Sequence, residues 1–178
     1  PPTSGTRDAF VELAMHAGCE EIPEVQAIAE TSGNDDWVSE NCSRMRTDGP
    51  FIEAGENDNL IVQRLGSDPN ALGIFGYSFL EENTAKIKGV KMGGIEPTYE
   101  TISSGKYPVS RPLFVYVKKA HVGVIPGLKE FAIEYTSTKS IGDEGYLAKK
   151  GLVPLPKADR DAVAKTAIGL EAMVAPGS

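Results

Sequence analysis

The chain has 178 residues, 40% hydrophobic and 24% charged, with a net charge of −7 at neutral pH. That length supports one domain or two small lobes with a real core, and the composition is that of an ordinary globular protein. The acidic balance and the lack of a Lys/Arg-rich tract interleaved with aromatics exclude a nucleic-acid binder, and no run of 18 apolar residues is present to span a membrane as a helix.

The chain opens with a hydroxyl-rich glycine turn, Thr3-Ser4-Gly5-Thr6, that runs into an amphipathic segment with Arg7 on its first turn. A helix's first-turn N–H groups carry partial positive charge and lack internal acceptors, so they attract anions. Ser4 and Thr6 add hydroxyl donors, Gly5 admits close approach, and the Arg7 guanidinium suits a tetrahedral oxyanion. The competing reading is a plain helix cap at Thr3 or Ser4 with a solvated Arg7. An acidic protein can still hold an anion, because net charge is screened within about 8–10 Å while local donors act at contact.

Periodicity predicts a first helix over Thr6–His16, with Gly18 as its stop, and a second opened by Pro23 and broken at Ser32-Gly33-Asn34. A third is expected from Asp35 to Arg46 around Trp37. Phe51–Ala54 reads as a strand, and Gly55-Glu56-Asn57-Asp58 leads into a helix closed by Gly66. Strands are expected over Ala71–Phe79 and Ile87–Met92, and a short helix near Tyr99–Ser103. Ser103 to Pro112 is the most linker-like stretch. Leu113–Val117 gives the strongest strand signal and, as a near-continuous apolar run, predicts burial on both faces. Helices follow over Pro126–Ser137, in part of Gly142–Lys150, and over Pro156–Ala172, with Gly151–Pro156 extended. Strands alternating with helices predict an α/β architecture.

Other chemistry is sparse. Glu56, Asn57 and Asp58 suit either helix capping or polar contacts in a cleft. Two His and no G-x-S-x-G leave little for a hydrolytic triad, and no zinc-type or EF-hand spacing is present, so neither a metal nor a cofactor is expected. Cys19 and Cys42 lie 23 positions apart. In an exported protein they would form a disulfide; the alternative is two buried thiols, and spacing leaves both open.

Four segments then occur in order: Ser4–Phe10 (SGTRDAF), Asn70–Phe79 (NALGIFGYSF), Tyr107–Leu113 (YPVSRPL), and Gly145-Tyr146-Leu147 followed by Gly151–Leu155 (GLVPL). Together, over roughly residues 1–156, they resemble the PstS family, the extracytoplasmic phosphate-binding proteins of bacterial ABC phosphate importers. The resemblance implies an α/β, periplasmic-binding-protein-like (type II) fold in which two lobes close on phosphate. It implies that residues 1–104 form the second lobe, 105–112 a hinge, and 113–178 the returning part of the first lobe. Since the family is about twice this size, the abrupt start at Pro1 leads us to expect a truncated form lacking the N-terminal half of lobe one and its proton-accepting Asp.

Carried over by position, Ser4, Gly5 and Thr6 match the family's phosphate box, with Arg7 as the adjoining cation and Asp8 as a support for its guanidinium. The implied function is non-enzymatic: capture of inorganic phosphate outside the cytoplasm, in the periplasm or its equivalent, and delivery to an ABC permease. The alternatives are a phosphate-ester hydrolase and a self-associating fragment whose unpaired edge lies around Leu113–Val117.

Overall fold

A computed structural model describes residues 3–55 and 57–173. The chain divides into two compact units. One comprises Pro1–Pro97 with Tyr107–Arg111, and the other Thr98–Lys106 with Pro112–Ser178.

The first unit is helical around its N-terminus. α1 (Gly5–Phe10) passes without a break into a π-helical turn, Val11–His16, and then into α2 (Ala17–Glu20). The expected stop at Gly18 does not occur. A glycine ends a helix by adopting the left-handed conformation, and Gly18 is not among the positive-φ glycines. Pro23 occupies the first turn of α3 (Pro23–Ser32), where its missing N–H costs nothing, and Gly33 closes it at φ 67°. α4 (Trp37–Cys42) packs against α2, α3 and the π turn. A disulfide joins Cys19 on α2 to Cys42 on α4, with Cα atoms 6.1 Å apart. α5 (Asp58–Ser67) buries Val62, and α6 (Tyr77–Glu82) packs against it.

The second unit begins with α7 (Tyr99–Ser103), held by a Thr98/Thr101 capping box. A 3₁₀ turn (Lys119–His121) precedes α8 (Leu128–Tyr135), which packs on α9 (Thr138–Ile141) and α10 (Lys157–Gly169). Buried Ala132, Ser140 and Pro154 mark its core. Ser103 on α7 donates its hydroxyl to the Pro154 carbonyl at 2.7 Å.

The strand expectations are corrected. Among the described residues no strand forms; two isolated bridges, Met92–Ile95 and Val122–Ile125, are the β-type pairings outside strands. Phe51–Ala54, Ile87–Val90 and the stretch up to Gly76 are irregular, and Tyr77 and Ser78 open a helix instead of ending a strand. The expected burial of Leu113–Val117 also fails: Leu113 and Phe114 are 68% exposed, Val115 50% and Tyr116 70%. A strand exists through its ladder, and among the described residues no segment forms one with these runs. No helix among the described residues is long and apolar enough to cross a membrane.

Candidate functional site

The N-terminal turn is built as its sequence dictates. Ser4 has extended geometry (φ −87°, ψ 117°) and caps α1, its Oγ accepting from the Arg7 N–H at 3.4 Å. The Asp8 N–H donates to the Ser4 carbonyl at 3.1 Å, closing the first turn. Gly5 and Thr6 are exposed, and their amides belong to the group that a helix start leaves without internal acceptors. The hydroxyl and amide donors expected at Ser4, Gly5 and Thr6 therefore stand together at one helix start.

Arg7 is half-buried. Its Nε is shielded from solvent and has no hydrogen-bond partner. The side chain lines a recess of about 270 Å³ with Asp8, Val11, Glu12, His16, Ser39 and Ser43. The Cys19–Cys42 bridge fixes α4, which carries Ser39, beside the helix bearing Arg7. The Asp8 and Glu12 carboxylates line the same recess as Arg7, so the summed formal charge there does not favour an anion. Asp8 makes no ion pair with Arg7 among those of the described residues. Asp8 shares the recess without the direct bond expected of a support.

Of the other expected residues, Asn57 caps α5 through its side chain, which accepts from the Asn59 N–H at 3.1 Å. Asp58 opens that helix. Among the described residues, no hydrogen bond or ion pair is found between either of them and Ser4–Arg7. Glu56 lies outside the described residues. No group of three or more His, Cys, Asp or Glu among the described residues could hold a metal ion.

One residue was missed. Arg111 donates from Nη2 to the Gly5 carbonyl at 2.9 Å, across 106 positions of sequence. A Cβ on Gly5 would lie 3.5 Å from the same nitrogen, so the guanidinium rests against the glycine. The turn that delivers it is closed twice onto the Tyr107 carbonyl, by the Ser110 N–H at 2.9 Å and by the Ser110 hydroxyl at 2.7 Å. The Tyr107 hydroxyl in turn donates to the Val90 carbonyl at 2.9 Å, and burial pushes that phenol's pKa up. The available signal was the proline-flanked YPVSRP motif, read as linker although it is a stiff turn.

The comparisons with known proteins cover most of the chain. A model of the PBP superfamily domain matches residues 1–139. The phosphate-binding protein PstS of Staphylococcus haemolyticus is 39% identical over 104 residues, 54% of this chain and 33% of the relative. PstS of Staphylococcus saprophyticus is 34% identical over 60% of this chain and 34% of its own length. Protein SphX of Synechococcus elongatus is 31% identical over 144 residues, 74% of this chain and 40% of the relative. The chain thus spans about a third of the length of the first curated relatives it matches. No solved structure matches. With most of its length covered by the family's model, the chain belongs to the PBP superfamily and, within it, is PstS-like.

Proposed function

We propose that this chain is part of the substrate-binding component of a phosphate ABC importer, and that it binds inorganic phosphate at the Ser4–Arg7 helix start. The observation that carries this is that exposed Gly5 and Thr6, the Ser4 cap and the Arg111 guanidinium adjoin one helix start, whose first turn also bears Arg7, in a chain whose relatives are named phosphate-binding proteins. Phosphate oxygens accept from the Gly5 and Thr6 amides, the Ser4 and Thr6 hydroxyls and the cationic side chains. A disulfide between Cys19 and Cys42 fits an oxidising, extracytoplasmic compartment.

In this reading residues 1–104 form the second lobe of a two-lobed α/β protein, 105–112 the linker and 113–178 the returning part of the first lobe. Leu113–Val117, exposed from Leu113 to Tyr116, takes its ladder partner from a further segment. Closure of the lobes encloses the dehydrated anion, and the closed form presents it to a membrane permease.

Calorimetric titration of the chain with inorganic phosphate tests the reading. Saturable binding is expected, and sulfate competition reports on selectivity, since discrimination against sulfate requires a buried acceptor for the proton that phosphate retains. Absence of any saturable heat or amide shift at millimolar phosphate would refute it.

A further inference from the structure

We propose that Arg111 is the dominant cation of the anion seat and that the Tyr107–Arg111 turn exists to position it; this deepens the phosphate reading and rests on it. The first argument is stiffness. Pro108 and Pro112 fix φ at two positions and confine Tyr107 and Arg111, which precede them, to extended backbone. The two bonds onto the Tyr107 carbonyl and the anchor to Val90 then tie the turn to its own unit. From this constrained base the side chain reaches the Gly5 carbonyl at 2.9 Å.

The second argument is charge. Arg7 shares its recess with Asp8 and Glu12, so its positive charge is offset locally. Arg111 makes no ion pair among the described residues. Arg111 is also exposed. A guanidinium carries five N–H donors, and its one observed bond, from Nη2 to the Gly5 carbonyl, leaves the others for a ligand. A bound oxyanion would therefore meet an uncompensated cation at the flank of the first turn and a compensated one beyond it.

The test titrates inorganic phosphate into the wild-type chain and the variants Arg111→Ala, Arg111→Gln and Arg111→Lys, by calorimetry and amide shifts of Gly5 and Thr6. Melting temperature without phosphate is measured alongside. Loss of about tenfold or more in affinity in the Ala and Gln variants is expected, with partial recovery in the Lys variant. The dependence of affinity on salt should weaken in the Gln variant, which keeps a donor for the Gly5 carbonyl but no charge. The melting temperature should barely move. If the wild type binds and the Ala and Gln variants bind equally well, Arg111 has no ligand role and this inference fails while the phosphate reading stands. Equal losses in the Gln and Lys variants that track a falling melting temperature would reduce Arg111 to a structural tie and also overturn it. A wild type that binds no phosphate defeats both.

Discussion

Around Gly5 the first unit leaves donors open: Arg7 Nε is buried without a partner, Gly5 and Thr6 are exposed, and Arg111 holds a carbonyl but no carboxylate. Around Asp143 the second unit closes them. Arg160, its side chain only 12% exposed, forks onto both oxygens of Asp143 at 2.8 and 3.0 Å and also donates to the Leu155 carbonyl at 2.6 Å. The Tyr99 hydroxyl adds a third bond to Asp143 at 3.1 Å. The exception in the second unit is instructive: Ser140 Oγ is also buried without a partner, but its residue is wholly enclosed at 0% exposure, so no solute reaches it. Open donors at an accessible surface point to a ligand, whereas satisfied ones hold α10 to the rest of its unit.

The largest expected effect breaks the first unit alone. The C19S/C42S pair, or reduction, frees α4 from α2 and should cost roughly 3 kcal/mol by the chain-entropy relation. Hydrogen exchange should show amides of α2 and α4 losing protection while those of α8 and α10 keep theirs. Equal loss in both sets would show that the units do not unfold separately. Phosphate affinity should fall too, since α4 forms one wall of the recess that holds the Arg7 side chain.

A smaller effect reads out the second unit. Asp143 is held below its ordinary value of 3.8, first by the bond from Arg160 and then by that from Tyr99. A carboxyl whose folded value is depressed stabilises the protein above the ordinary aspartate range, and that contribution is lost as pH falls through the folded value. The second unit should therefore weaken on acidification below about pH 4, followed by urea midpoints across the acid range. Arg160→Ala should lower the midpoint at neutral pH and flatten its acid dependence. An unchanged acid slope in that variant would assign the sensitivity to other carboxylates. Tyr99 acts at the opposite end: burial, and then the Asp143 carboxylate, push its phenol up, so its contribution fades only at alkaline pH.

Much of this contrast was legible locally. Pro23 and Gly33 bracket α3, Tyr99–Ser103 is a helix as its pattern predicts, and Ser4 caps α1 where the S-G-T-R-D order places it. These signals are local, because caps and turns are decided by residues a few positions apart. The strands were not legible in the same sense. Leu113–Val117 has a strand's composition, but β-propensity describes fitness for a pleated, half-buried surface, and that surface must come from a partner segment. The Arg111 bond was hidden for a related reason. Nothing within a few residues of Arg111 reveals an acceptor 106 positions away; only the stiffness of its turn was on display.

The smallest expected effect separates two residues of the same type in the same local role. Ser4 and Ser137 each cap a helix with a side-chain oxygen, accepting from the Arg7 N–H at 3.4 Å and the Ser140 N–H at 3.2 Å respectively. Removing such a cap costs about 0.5–2 kcal/mol, and the long Ser4 bond places Ser4→Ala at the low end of that range. Ser137→Ala should also stay near the low end, because the Ser140 amide it leaves keeps the Ser137 carbonyl as an acceptor at 3.0 Å. On phosphate affinity the two should part, with Ser4→Ala weakening binding and Ser137→Ala leaving it unchanged. Denaturant midpoints and phosphate titrations on the two variants supply both halves of the comparison. Should Ser4→Ala alter stability alone, its hydroxyl is only a cap, and the anion must then be held by the backbone amides and the two guanidinia.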